Sequence, residues 1–283
     1  MRASGGSLRI LVLFSSASPA MPADYHLHTP LCKHATGSPT EFAAQAVRLG
    51  VPEIGFSDHS PMPMEFDDWR MLDAEVPRYL ELVDEARAAH PTLPIRLGLE
   101  VDWLEGGEVW IESLSRRAPW DYLIGSVHYL GDWNFDHPDL VARFSSYGVE
   151  ESWNRYWRLF GSAAKSGLFD IMAHPDLVKK FRHRPGGDLR RYYEPAVQAC
   201  AEAGVAIEIN TAGLFKPVAE MYPAPEFLKL AAEAGIPLTI NSDAHSPQEV
   251  GRAFPQALEL AKECGFTHLA RFQGRRRTAA PLE

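Results

Sequence analysis

Residues 24–37 read "DYHLHTPLCKHATG" and bring three histidines, His26, His28 and His34, close together in the chain. Successive side chains of a β-strand point to opposite faces, so residues two apart share one face. His26 and His28 therefore project together if this stretch begins with a strand. His34 falls on the loop that follows, from which it can fold back over the pair. The pattern indicates a functional site at the end of this strand.

On the C-terminal side of this stretch, short apolar runs alternate with amphipathic helical patterns. We predict strands at 23–28, 53–59, 95–103, 121–130, 169–174, 205–210 and 237–245. Two helix starts, "SPTE" at 38–41 and "SPQE" at 246–249, combine a serine N-cap, a proline and a glutamate. Alternating strands and helices predict an α/β protein with a parallel sheet. Seven such units in one run favour a closed barrel, with an open doubly wound sheet as the main alternative.

Most of the other histidines, and two acids, also occur at the predicted strand ends. In a parallel barrel these ends meet at one face, which is where such barrels hold their active sites. A single buried histidine is more often a core residue than a ligand, but a set at matching strand ends favours a metal centre. Nitrogen and oxygen donors without cysteine suit Zn, Fe or Mn. The set comprises His26, His28, His34, His59, Glu100, His128, His174, Asp243 and His245.

Two other residues are weaker candidates for the site. Cys32 lies within the first histidine stretch, where we interpret it as a packing thiol rather than a ligand. His137, in "DHPD", either lines the rim of the barrel or caps a turn.

Composition limits the classes of partner. The 283 residues carry 28 lysines and arginines against 37 acids, a formal charge of −9. This balance argues against a nucleic-acid or anionic-membrane surface, which needs a basic face. No apolar run approaches the ~20 residues of a membrane span. The three cysteines form no CxxC pair, which predicts reduced thiols and a cytoplasmic protein.

The N-terminal residues require a separate interpretation. "LRILVLF" followed by "SSASPA" faintly resembles a signal peptide, but its apolar part is short and its basic region weak. We therefore predict that residues 1–20 are an unstructured leader or reflect an early start codon. Residues 21–283 are then predicted to form a single barrel domain.

The motifs together are specific enough to indicate a family. They are "DYHLHTPLCKHATG", "FSDHSPMP", "GLEVDW", "IGSVHYLG", "AHPDLVKKF", "EINTAG", "MYPAPE" and "NSDAHSP". From about Asp24 to about Phe272 the chain resembles histidinol-phosphatases of the polymerase-and-histidinol-phosphatase (PHP) superfamily. The resemblance implies a distorted seven-stranded (β/α) barrel, similar to a TIM barrel, with three divalent metal ions. It also implies hydrolysis of a small phosphate monoester, L-histidinol phosphate, in histidine biosynthesis.

The resemblance assigns the ligands to three ions. The first ion would be held by His26, His28, Glu100 and Asp243. The second would share Glu100 and use His128 and His174. The third would use His34, His59 and His245. Lys180 and Lys216 occupy positions where the family places phosphate-binding basic residues, whereas Lys179, Arg182 and Arg184 fit a solvated basic face at least equally well.

Charge matching favours phosphate chemistry in such a site. Three divalent ions and two ligand carboxylates leave about +4, against about −3 for a monoester dianion with an attacking hydroxide. We therefore expect direct attack by a metal-activated hydroxide, with Asp243 as a candidate acid or base. Two alternatives stay open, namely a phosphoesterase acting on nucleotides or short nucleic acid, and a non-catalytic polymerase module.

Overall fold

The computed structural model describes residues 21–282 of the chain. It contains eleven strands and eight α-helices, joined by short 3₁₀ turns. The strands are β1 (Asp24–Leu27), β2 (Ile54–Phe56), β3 (Ile95–Asp102), β4 (Tyr122–Ser126), β5 (Tyr129–Leu130), β6 (Trp133–Asn134), β7 (Ile171–Met172), β8 (Ala206–Asn210), β9 (Leu238–Asn241), β10 (His268–Gln273) and β11 (Arg276–Pro281). The helices are α1 (Pro39–Leu49), α2 (Val76–Ala89), α3 (Glu108–Ser115), α4 (Arg143–Tyr147), α5 (Val149–Lys165), α6 (Arg190–Ala203), α7 (Pro225–Glu233) and α8 (Phe254–Glu263).

Seven parallel strands form one sheet in the order β1-β2-β3-β4-β7-β8-β9. The two edge strands meet, because Leu27 at the end of β1 makes a parallel bridge to Ala244 beyond β9. Two backbone hydrogen bonds, His28 N–H to Ala244 O at 3.0 Å and Ala244 N–H to His26 O at 3.1 Å, support this closure. The predicted seven-stranded barrel is confirmed, and the open-sheet alternative is wrong.

Six of the seven strands of the sheet end earlier than predicted, which places several site residues on the loops, whereas β8 ends at Asn210 as predicted. The predicted strand 121–130 ends at Ser126, and Tyr129–Leu130 instead forms a small antiparallel hairpin with Trp133–Asn134. His128 therefore lies in the short connection between two strands rather than within one.

Glycine permits close packing inside the barrel. Tyr122 on β4 is fully buried, and its hydroxyl donates to the carbonyl of Tyr25 at 2.7 Å. Its ring lies over Gly55 on β2 and Gly98 on β3, where an added Cβ would overlap the ring atoms. A larger residue at either position would displace this tyrosine from the barrel interior.

The two predicted helix starts behave differently. At Ser38 the capping box forms as predicted, with Glu41 N–H donating to the serine hydroxyl and Glu41 accepting from the Ser38 N–H. At Ser246 the same pattern precedes only a 3₁₀ turn, Pro247–Glu249, and the serine side chain makes no cap bond. Glu249 instead accepts the backbone N–H of His245 at 2.7 Å. The glutamate thus helps to position a site histidine rather than to cap a helix.

The C-terminal hairpin formed by β10 and β11 was not predicted as a hairpin. Phe272 and Ala270 of β10 are buried and pack with Tyr25 and Tyr122, so this strand helps to fill the barrel interior. The outer strand β11 is mostly exposed and rich in arginine. It carries little of the hydrophobic alternation that identifies strands in a sequence.

Two sequence predictions concern the chain as a whole. No helix within residues 21–282 is long and apolar enough to cross a membrane. The predicted leader, residues 1–20, lies outside the described residues, as does Glu283. The division into this leader and one barrel domain over 21–283 stays a prediction.

Candidate metal centre

Glu100, near the end of β3, lies at the centre of the predicted site and is 2% exposed. Both of its carboxylate oxygens face imidazole nitrogens of five histidines, which come from four other segments of the chain. The contacts are His59 Nδ1 at 2.8 Å, His174 Nε2 at 3.0 Å, His26 Nε2 at 3.3 Å, His128 Nε2 at 3.6 Å and His28 Nε2 at 3.7 Å. A carboxylate surrounded in this way can bridge two cations.

The potential ligand atoms form overlapping groups, each with its members within 4.8 Å of one another. One group matches the second predicted set, and another contains three of the four members of the first. The third predicted set is divided, because His245 joins His28 and His59 in one group and Cys32 and His34 in another. The groups are Glu100, His128 and His174; His26, His28 and Asp243; His28, His59 and His245; Cys32, His34 and His245; and His28, Cys32 and Asp58. That these groups bind metal stays a prediction.

Several buried polar atoms of the cluster lack hydrogen-bond partners within residues 21–282, as atoms that bind metal ions would. His26 Nε2, His59 Nδ1, His245 Nε2 and Glu100 Oε2 are buried without a hydrogen-bond partner among the described residues. Several of them approach a carboxylate oxygen closely, yet not in hydrogen-bonding geometry. Unsatisfied buried polar atoms are rare because they are costly. Divalent ions would satisfy all four, so the donor set fits a metal centre.

A second layer of carboxylates, which the sequence reasoning missed, orients the histidine rings. Glu208 and Asp102 each bond one ring nitrogen and leave the other to face the cluster, the arrangement usual for histidine ligands of metals, whereas Asp58 approaches His28 without hydrogen-bonding geometry. The pairs are Glu208 with His26 Nδ1 at 3.1 Å, Asp102 with His128 Nδ1 at 2.7 Å and Asp58 with His28 Nδ1 at 3.5 Å. All three acids are buried, at 5% exposure or less. The detectable signal was a charged residue inside or beside an apolar strand.

Asp102 is itself held by a buried arginine. Arg70 donates to Asp102 at 2.8 Å and to Asp67 at 2.7 Å, and it is 3% exposed. Burial lowers the pKa of the guanidinium, but the two carboxylates outweigh burial and keep the group charged. The loop after β2 is thereby tied to the loop after β4, which carries His128.

The electrostatics of the cluster suit cation binding. Burial raises the pKa of Glu100, but His59, His26 and His128 outweigh it and hold that pKa well below its usual value. The pKa of Asp243 is also well below its usual value, because His26 and His28 outweigh burial. Burial lowers the pKa of His59 to about 4, which keeps this ring neutral, as a metal ligand must be.

A cavity of about 470 Å³ opens above the cluster, and both predicted phosphate-binding lysines line it. Lys180 Nζ lies 2.6 Å from Asp136 Oδ1, whereas Lys216 is exposed and forms no ion pair within residues 21–282. Arg252, which was not predicted, also lines the cavity and pairs with Glu249 at 2.6 Å.

Other basic and histidine residues nearby take structural roles. The solvated-face interpretation is wrong for Lys179, which is fully buried and pairs with Asp176 at 3.0 Å. Arg182 and Arg184 do not line the cavity and bind the Pro217 carbonyl and Glu220, respectively.

His137 both lines the cavity and caps a turn, since its Nδ1 accepts the Asp139 N–H at 3.2 Å. Cys32 is buried.

Comparison with known proteins places the chain in a family. The PHP domain model matches residues 24–212, and a PHP-associated model matches residues 226–259. A protein of Deinococcus radiodurans named "Probable histidinol-phosphatase" is 44% identical over 86% of this chain and 93% of its own length. The "Histidinol-phosphatase" of Bacillus subtilis is 30% identical over 83% of this chain and 98% of its own length.

A solved structure shares the fold. The histidinol phosphate phosphatase of Lactococcus lactis, crystallised with zinc, L-histidinol and phosphate, aligns with a TM-score of 0.79 at 23% identity. The alignment covers 91% of this chain and 99% of that one. From its sequence matches and its barrel, the chain belongs to the PHP domain family, and its relatives include proteins named as histidinol-phosphatases.

Proposed function

We propose that this protein is a metal-dependent phosphatase that hydrolyses L-histidinol phosphate to L-histidinol and phosphate. The observation that carries the proposal is the convergence of nine predicted ligand residues in one cluster, seven of which line one cavity, in a chain 44% identical to a protein named for this activity. The zinc, L-histidinol and phosphate bound by the Lactococcus lactis protein support the same metal and substrate classes.

We further propose three divalent ions, each Zn, Fe or Mn, held by the nine predicted ligands. Bound ions of this kind neutralise phosphate charge and lower the pKa of water enough to supply a nucleophile at neutral pH. The chain's own residues orient the imidazoles of His26 and His128 through Glu208 and Asp102, and present Lys180, Lys216 and Arg252 to the phosphate. Because the low pKa of Asp243 keeps its carboxylate ionised, this residue can act as a base. It can act as an acid only after it has first accepted a proton.

The proposed function is tested by an activity panel on the purified holoenzyme. We expect the specificity constant for L-histidinol phosphate to exceed that for AMP by at least tenfold, about 1.4 kcal/mol, with no cleavage of a short oligonucleotide. Chelation should abolish the activity, and added Zn or Mn should restore it. A tenfold preference for AMP would instead assign the protein to the nucleotide phosphoesterases. Full activity after demonstrated metal removal would exclude the metal-dependent reaction.

Lys216 provides a test of phosphate binding. Its ammonium group is exposed in the cavity wall without an ion-pair partner in the described chain, so we expect Lys216→Ala mainly to raise KM. The expected rise in KM is about tenfold. This is the low end of the range for losing a charge-assisted hydrogen bond, because solvent weakens such bonds at exposed positions. Steady-state kinetics with metal analysis would check this, with Lys229→Ala on the exposed face of α7 as the matched control. Unchanged kinetics would show that Lys216 is a solvated surface residue that does not bind the phosphate.

The proposed compartment is the cytoplasm. All three cysteines, Cys32, Cys200 and Cys264, are unpaired and buried. Reduced thiols of this kind are usual where disulfides do not form.

A further inference from the structure

The lysines and the arginine of the cavity wall all lie on one side of the barrel. The three cationic side chains, Lys180, Lys216 and Arg252, follow the consecutive strands β7, β8 and β9. The loop after β2 contributes Asp68 and Trp69, and the segment after β4 contributes Asn134, Asp136 and His137, with Asp136 in contact with Lys180. The cavity above the histidine cluster therefore carries its lysines and its arginine after β7, β8 and β9, whereas the loop after β2 contributes only Asp68 as a charged side chain beside Trp69.

Asp68 differs from the other acids of the wall because it has no cationic partner. Asp136 is paired with Lys180, Glu249 with Arg252, and Glu100 and Asp243 face the histidine cluster. Asp68 forms no hydrogen bond or ion pair within residues 21–282. Its charge on the cavity wall is left for solvent or a ligand.

The two uncompensated charges of the wall lie on opposite sides of the barrel. In the closed order β1-β2-β3-β4-β7-β8-β9, three steps separate β2, before Asp68, from β8, before Lys216, which is the maximum in a ring of seven. Trp69 follows Asp68 in the chain, and its ring packs edge to face on His59 with the ring centroids 4.5 Å apart. The indole is fixed by a hydrogen bond to the Tyr129 hydroxyl at 3.2 Å.

We propose that Asp68 binds the protonated amine of the substrate and so selects phosphate esters that also carry a cation. This inference rests on the proposed function, whose substrate carries a phosphate at one end and an amine and an imidazole at the other. The phosphate lies over the cluster and the cationic side of the wall, and the chain of the substrate runs along Trp69 to the Asp68 carboxylate. An aromatic ring beside a carboxylate favours a cation at this position.

The test compares two esters on the holoenzyme, L-histidinol phosphate and 4-nitrophenyl phosphate, which has no cationic group. In Asp68→Asn we expect the ratio of their kcat/KM values to fall by about tenfold. L-Histidinol, which lacks the phosphate, should bind about tenfold more weakly by calorimetry, whereas inhibition by inorganic phosphate should not change. Glu65→Gln, an exposed acid of the same loop that does not line the cavity, is the matched control and should keep the wild-type ratio.

The possible outcomes distinguish the role of Asp68 from the proposed function. An unchanged ratio in Asp68→Asn, or an equal loss on both esters, would overturn the assignment of Asp68 while leaving the proposed function intact. Wild-type protein that fails to hydrolyse L-histidinol phosphate would overturn the proposed function, and with it the inference. A selective loss accompanied by normal metal content would support both.

Discussion

The Glu100→Ala protein is expected to lose more bound metal than any single histidine variant and to lose activity by about 10³-fold or more. Glu100 faces nitrogens of five histidines, so its removal takes a shared anionic ligand from the centre of the cluster. Loss of the cation charge that stabilises the reacting phosphate costs several kcal/mol, and about 4 kcal/mol corresponds to the stated factor. Elemental analysis of the purified protein, beside initial rates, would measure both effects.

The comparison variant is His34→Ala. His34 lies at the exposed edge of the cluster, with Nδ1 bonded to the Cys32 carbonyl at 2.7 Å, so its loss should remove at most about one ion. Glu233→Ala, at the exposed end of α7, controls for the loss of a carboxylate as such. Equal metal loss from Glu100→Ala and His34→Ala would count against a bridging carboxylate. Glu100→Gln preserves the side-chain shape and shows whether the charge or the packing is responsible.

The residues that form the cluster could be predicted because their positions follow the strand pattern. His26, His28 and His34 come at and after β1, and the others come at or after the carboxyl ends of other strands, which a parallel barrel gathers at one rim. That inference requires only the positions of the strands and not their exact lengths. It therefore survived the error at His128, where the predicted strand was several residues too long.

Most residues that surround the cluster could not be predicted, because their contacts form between parts of the chain that are distant in sequence. Lys179 reads as one basic residue in a basic run. Its partner Asp176 is near in the chain, but Glu220 reaches it only because two loops come together. Asp58 and Asp102 adjoin predicted ligands, yet their contacts depend on ring orientations that no pattern specifies. Asp68 lies within an irregular loop after β2, and its significance depends on which other acids of the wall are paired.

Glu208 is a buried acid whose surroundings explain its presence inside an apolar strand. It lies on β8, is fully buried, and accepts hydrogen bonds from four donors. The donors are the His174 backbone N–H at 2.8 Å, Asn210 Nδ2 at 2.9 Å, Asn241 Nδ2 at 2.6 Å and His26 Nδ1 at 3.1 Å. An ionised carboxylate is an acceptor with about four lone-pair sites, so its capacity matches this environment.

Because every neighbour donates, we expect Glu208→Gln to be poorly tolerated despite its similar shape. The new amide has one acceptor oxygen, and its NH₂ group would face N–H groups, leaving buried donors unpaired. Breaking a buried charged network typically costs about 3–5 kcal/mol, which for a chain of this size lowers Tm by roughly 6–20 °C. Loss of the group that orients His26 should also weaken metal binding by about 10–100-fold. Thermal unfolding of the holoenzyme and competition with a chelator would measure the two effects.

The matched control for this variant is Glu263→Gln, which makes the same chemical change at an exposed position at the end of α8. It should leave both Tm and metal affinity unchanged. A Glu208→Gln protein with wild-type Tm and wild-type metal affinity would show that the four donors find other partners. A lowered Tm with unchanged metal affinity would separate the two roles, because Glu208 would then stabilise the barrel without fixing the His26 ring. Loss of both together is expected, since the acid that satisfies the β8–β9 amides also holds the His26 ring.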